Sequence, residues 1–296
     1  MRAWSLSPCF TNIISLFYGN GTGLTDRPRF RPRNFWDMTT EQLYGQICLK
    51  RTYLCVGLDT EPAKLPAGVS VLDFNKAVID ATAPHCVAYK PNLAFYEAMG
   101  LEGWRILGDT VDYIRSRYPE QFLIADAKRG DIGNTARKYA ETFFRSFDFD
   151  AVTLSPYMGL ETVEPFLDYP GRFAIVVALS SNRSSADFQQ AQQEGKPLYQ
   201  TVMEKCMSIS TPENMMFVVG ATKADRLSEI RRFCPDNFLL VPGVGAQGGS
   251  AGEVIAHGAN ARGGLLINSS RGVLYASSGP DYAQKAAEAA AATARF

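Results

Sequence analysis

Histidine is almost missing from this chain. Its 296 residues contain two, His85 and His257, and neither has neighbouring ligands in a metal-binding pattern. Each is expected to be an ordinary surface or loop residue, and no metal site is expected. Net charge is missing too, because thirty basic residues offset thirty acidic ones. A molecule without an overall field has no general attraction for nucleic acid or an anionic membrane. An anionic ligand must then be held by a local site, which points to a small molecule. No apolar run approaches the ~20 residues needed to span a bilayer. The run "SPCFTNIISLFYGNG" near the start lacks the basic opening and A-x-A ending of a signal peptide. The six cysteines (Cys9, Cys48, Cys55, Cys86, Cys206, Cys234) include no C-x-x-C pair, and several lie inside apolar runs, as buried reduced thiols do. A reducing cytoplasm is the expected compartment.

What is present is enough apolar material, 46% of the chain, for one large domain with a well-buried core. Residues 1–37 carry scattered Arg, Pro and Gly without sustained periodicity. They are expected to be an appendage, disordered or the product of a start codon placed too far upstream. From Met38, "MTTEQLYGQI" begins like a capped helix, with Thr39 or Thr40 as N-cap. The domain is therefore expected over 38–296.

Within it, eight short apolar runs alternate with helical patterns: "YLCVGLD", "VAYKPNL", "FLIADAK", "AVTLSPY", "FAIVVALS", "MFVVGAT", "FLLVPGV" and "GLLINSS". Segments such as "GNTARKYAETFFRSF" carry helical spacing and lead into the next β-branched run, the signature of repeated βα units. Eight units in this length predict an α/β fold, a single-domain (β/α)8 TIM barrel, in preference to a doubly wound open sheet. The terminal "AQKAAEAAAATARF" reads as an Ala-rich closing helix.

The stretch "VPGVGAQGGSAG" at 241–252 satisfies three templates: G-x-G-x-x-G, G-x-S-x-G and a glycine-rich phosphate cradle. A dinucleotide fingerprint belongs after an early strand, with an acidic residue ~20 positions later. Here it follows the seventh. A nucleophile elbow needs a distant histidine, yet His257, the only one downstream, lies in the very next helix. Ser250 is expected to start that helix. The loops after strands seven and eight are where barrels commonly bind phosphate. The stretch therefore reads as a cradle, with Gly245, Gly248 and Gly249 admitting the oxygens, Gln247 donating an amide and Arg271 supplying a charged fork.

Barrel active sites lie at the C-terminal ends of strands. Strand one ends in Asp59, strand two in Lys90, strand three in "DAKRGD", and strand five in Ser180, Ser181 and Asn182. Asp126 and Lys128 are two apart, so they are expected to share one strand face and point into the mouth, with Asp131 following in the loop. A buried stabilising ion pair is the plainer explanation, but three charges at that end cost desolvation that apolar residues would avoid.

"DAKRGDIGN", with "PGVGAQGG" and a late Arg, resembles the orotidine 5′-phosphate decarboxylase family, and most its longer bacterial subfamily. The resemblance covers about Met38 to Phe296. It implies decarboxylation of orotidine 5′-phosphate to UMP, the last step of de novo pyrimidine nucleotide synthesis, without cofactor or metal. It implies that Lys128 donates the proton, that Asp126 faces the substrate's carboxylate, and that Asp131 is contributed across a homodimer interface into a shared active site. By the same resemblance Asp59 and Lys90 contact the ribose, Ser180 lies near the pyrimidine, and Gln247, Gly248 and Arg271 hold the phosphate. The chain departs from the family after Ser181-Asn182, where Arg183-Ser184 replaces a Pro-Gly turn. The polar segment "SNRSSADFQQAQQEGKP" after strand five is either a lid or a disordered connector. Other chemistries for such a barrel are a metal-dependent sugar-phosphate decarboxylase, a Schiff-base aldolase using Lys128, and a phosphate-ligand binding barrel without activity.

Overall fold

A computed structural model describes residues 38–220, 224–243 and 250–296. Thr39 opens the first helix, Thr40–Lys50, with a reciprocal capping box: its side chain accepts the Gln42 N–H while Gln42 bonds back to the Thr39 N–H. The expected appendage, 1–37, lies outside the described residues.

Eight parallel strands close into a barrel. They are β1 (Leu54–Gly57), β2 (Ala88–Lys90), β3 (Phe122–Arg129), β4 (Ala151–Leu154), β5 (Phe173–Leu179), β6 (Met215–Val219), β7 (Phe238–Pro242) and β8 (Leu265–Ser269). Six fall within the apolar runs, and β3 and β6 each overrun theirs by one residue, Arg129 and Met215. Each strand pairs with its sequence neighbours, and β8 closes on β1 with Cys55 opposite Asn268. The strands read as apolar runs because both faces are covered: β1, β4 and β6 are buried at every position. The Ala-rich helix Tyr282–Ala292 packs against the helix Val71–Thr82, where Tyr282 stacks on Phe74 at 4.9 Å.

The foot of the barrel, at the N-terminal ends of the strands, is held by arginines. Arg231 is buried, and its guanidinium donates to the carbonyls of Cys234, Pro235, Asn237, Gly258 and Gly264, all flanking the starts of β7 and β8. All three guanidinium nitrogens are used, with Nη1 shared among the Cys234, Pro235 and Asn237 carbonyls, so the buried group keeps partners in place of water. Arg115 likewise reaches Asp150 at 2.8 Å, and Asp150 in turn accepts the Leu123 N–H at the start of β3. At this end charge serves packing.

The segment after β5 is folded. It contains a helical turn, Ser185–Phe188, and a two-residue antiparallel ribbon, Gln192–Gln193 with Lys196–Pro197. A connector without structure is excluded for this stretch. The two histidines are also placed. His85 ends a short 3-10 turn, and His257 lies on the helix Ala251–Gly258 with Nδ1 2.8 Å from Ser228 Oγ. Ser250 caps that helix by accepting the Glu253 N–H at 3.1 Å, as expected of a helix-start residue.

Candidate active site

β3 does not run straight to its end. Its pairing with β4 slips between Ala125 and Arg129, and Lys128 adopts a left-handed φ of 46°. Simple alternation along a strand therefore does not explain how Asp126 and Lys128 meet; a bulge does. Past the bulge the backbone crowds β4, and a Cβ at Gly130 would collide with the Ser155 carbonyl oxygen. That explains the glycine in "KRGD". Arg129 turns away from the mouth to pair with Glu97 and lies over the Tyr139 ring.

Asp126 is the hub. Its Oδ2 accepts from Lys90 Nζ at 2.8 Å, and its Oδ1 accepts from Lys128 Nζ at 2.6 Å and Thr153 Oγ1 at 2.9 Å. Its own N–H donates to the Pro91 carbonyl at 3.1 Å, which fixes the carboxylate between β2 and β4. Burial alone would push the Asp126 carboxyl up, but Lys90 and Lys128 outweigh it and hold the group well below the usual carboxylate range. Lys90 shows the converse balance. Burial would lower its ammonium, whereas Asp126 and then Asp59 raise it. Both groups therefore stay charged at neutral pH.

The two lysines differ in access. The Lys90 side chain is 6% exposed, while that of Lys128 is 53% exposed. One ammonium is sealed behind the carboxylate, and the other is offered to the mouth. Asp59, after β1, has a buried Oδ1 with no hydrogen-bond partner among the described residues. Asn268, at the end of β8, has a second such oxygen. Unpartnered acceptors at the end of a barrel are positions for an incoming donor.

The remaining expected residues are more dispersed. Asp131 is partly exposed, and its Oδ1 accepts the Ile132 N–H at 2.8 Å; among the described residues no ion pair joins it to Lys128 of the same chain. Ser180 is tied to Gln189, which accepts the Ser180 N–H at 2.7 Å. Arg271 is exposed and opens the helical turn Arg271–Leu274 after β8. Gln247 and Gly248, with Gly245 and Gly249, lie outside the described residues. Among the described residues no three His, Cys, Asp or Glu side chains gather as a metal-ligand group.

The sequence profile of the Orotidine 5′-phosphate decarboxylase / HUMPS family matches residues 52–287. The chain belongs to this family. A curated orotidine 5′-phosphate decarboxylase of Christiangramia forsetii is 52% identical over 252 residues, which is 83% of this chain and 93% of that protein. Another from Porphyromonas gingivalis is 51% identical over 264 residues, covering 87% and 96%. The solved structure of Leishmania donovani OMP decarboxylase superposes with a TM-score of 0.73 at 34% identity, covering 86% of this chain and 98% of that one. No described helix is long and apolar enough to cross a membrane.

Two residues of this site carry little signal in the sequence. Thr153 lies inside "AVTL", where a threonine reads as an ordinary β-branched strand residue; its one signal is a hydroxyl in an otherwise apolar buried run. Gln189 lies in the polar segment after β5 among three other glutamines, and nothing local marks it.

Proposed function

We propose that this site decarboxylates orotidine 5′-phosphate to UMP and carbon dioxide, as the names of the curated relatives imply. The observation that carries the mechanism is the division of labour around Asp126: one buried carboxylate is shared by a sealed ammonium and an exposed one. Loss of carbon dioxide from C6 of the pyrimidine leaves an electron pair on a ring carbon with no adjacent sink. An ammonium fixed beside C6 stabilises that charge as it develops. Lys128 then transfers a proton from Nζ to C6 and leaves as the neutral amine. Asp126, held ionised, keeps Lys128 charged before the reaction and faces the substrate carboxylate. Lys90 keeps Asp126 ionised and in place, and with Asp59 contacts the ribose. Ser180 faces the pyrimidine, and Arg271 with Gln247 and Gly248 takes the phosphate. Phosphate binding, remote from the broken bond, supplies energy for organising the site.

Asp131 completes the site of a two-fold partner in a homodimer. Exposed apolar side chains support this: Ile132 follows Asp131, and Tyr157 after β4 meets Phe188 after β5 at 6.4 Å, all of them beyond the C-terminal ends of strands. The barrel domain is taken as 38–296, with 1–37 an appendage to it. The free thiols of Cys55, Cys86, Cys206 and Cys234, all buried, fit a reducing cytoplasm.

The experiment is a spectrophotometric assay of orotidine 5′-phosphate with the purified protein, with and without EDTA. A fall in substrate absorbance that survives EDTA is expected. Strict metal dependence would favour the sugar-phosphate decarboxylase alternative, and binding of UMP without any turnover would favour a binding barrel.

A further inference from the structure

We propose that Tyr275 is a positioning residue that ties the Arg271 segment to the backbone of Asp59, so that a phosphate engaged by Arg271 fixes Asp59 beside Lys90. This rests on the phosphate and ribose assignments made above.

The backbone around Asp59 is anchored residue by residue. The Leu58 carbonyl accepts from Tyr96 Oη at 3.0 Å. The Asp59 carbonyl accepts from Tyr275 Oη at 3.1 Å, and the Tyr275 hydroxyl in turn accepts the Glu61 N–H at 2.8 Å. Thr60 donates to Asn75 Oδ1 at 2.6 Å, and Asn75 Nδ2 donates to Tyr96 Oη at 3.1 Å. Two of these four residues, Leu58 and Thr60, are fixed by elements following β1 and β2, and the other two, Asp59 and Glu61, by Tyr275. Tyr275 alone comes from the segment after β8.

Tyr275 is also bound to the arginine end. It closes the turn that Arg271 opens, and its N–H donates to the Arg271 carbonyl at 3.1 Å. A second closeness lies one residue earlier, where a Cβ on Gly57 of β1 would collide with Ser270 Oγ. The Tyr275 ring stacks on Phe74 at 6.3 Å and lies under Lys64 Nζ at 5.2 Å, so the phenol is held on rigid neighbours. Burial raises the phenol above its ordinary value and keeps it a neutral donor. None of these bonds goes to the Asp59 carboxylate, whose Oδ1 is buried and, among the described residues, left unpartnered for a donor on the ligand. The loop is held while the carboxylate stays free.

The test is a double-mutant cycle with Tyr275→Phe and Arg271→Ala. Phenylalanine keeps the ring packing, and circular dichroism and the melting transition confirm that each variant folds. Tyr275→Phe is expected to lower kcat for orotidine 5′-phosphate by about tenfold in the wild-type background and by less than about twofold beside Arg271→Ala. Equal losses in both backgrounds would make Tyr275 a structural residue independent of the arginine, and an unchanged kcat would leave it no role; either result overturns the coupling. If Arg271→Ala alone leaves KM unchanged, the phosphate assignment itself fails and the coupling falls with it. Additive losses on top of a raised KM remove the coupling only.

Discussion

The hydroxyl of Thr153 accepts the backbone N–H of Lys128 at 3.0 Å. The same hydroxyl donates to Asp126 Oδ1 at 2.9 Å. One buried threonine on β4 therefore holds both the bent backbone of the proposed proton donor and the carboxylate that orients its ammonium. The left-handed turn at Lys128 costs conformational energy that a non-glycine residue does not accept without compensation, and this bond is part of the compensation.

Thr153→Val keeps the shape of the side chain and removes both bonds. It is expected to lower kcat about tenfold and to cost about 1–2 kcal/mol of stability, since a buried carboxylate loses a donor. Steady-state kinetics and denaturant unfolding measure the two effects. A normal kcat would show that Lys128 is positioned by Asp126 alone.

Lys128→Ala is expected to remove nearly all turnover, by ~1000-fold or more, while UMP still binds. Ribose and phosphate contacts come from other loops in this reading. Calorimetric titration with UMP beside the absorbance assay separates the two. A variant with near-normal turnover would end the assignment of Lys128 as proton donor.

Asp126 makes stability depend on pH in one direction. Its folded value is depressed below the ordinary 3.8, so its contribution is complete above that value and is lost as pH falls toward the folded one. Below about pH 4 the unfolded chain takes up a proton that the native Asp126 refuses. The stability gap between the protein and Asp126→Asn is expected to narrow by about 1.4 kcal/mol per pH unit over that acid window. Urea unfolding at pH 5, 4 and 3 measures it. A constant gap would mean that Asp126 is not held ionised by the lysines.

Mixing tests the shared site. Lys128→Ala and Asp131→Asn homodimers are each expected to be crippled in every site. After subunit exchange of equal amounts, a heterodimer has one site with both defects and one with neither, which restores about a quarter of wild-type sites. No recovery after verified heterodimer formation would place Asp131 in its own chain's site.

Deleting residues 1–37 is expected to leave folding and decarboxylation intact, because the capping box at Thr39 starts the first helix without them. Insoluble or inactive protein would show that the segment belongs to the domain.

The parts of this molecule that could be read from its sequence are those whose cause is local. The strand order followed from eight apolar runs at barrel spacing, and the charges at the ends of β1, β2 and β3 were visible because apolar strands make such charges conspicuous. Ser250 was legible as a cap because capping is a rule of four consecutive residues. Thr153 was not, since its importance depends on which strand faces it. The bulge at Lys128 was equally silent: alternation placed Asp126 and Lys128 together, and the structure brings them together by breaking the alternation. Tyr275 stands far in sequence from the Asp59 loop it anchors, and only closure of β8 onto β1 brings it there.

Arg231, locked into five carbonyls at the foot of the barrel, sets a gradient in time as well as in space. Amide protons at the starts of β7 and β8 are expected to exchange slowly, because the segments leading into both strands are tied to one buried side chain. Those beyond the strands' other ends need only local opening. The end farthest from the chemistry is thus expected to open most slowly, and the rim can be remodelled by sequence change while the base keeps the register of the strands.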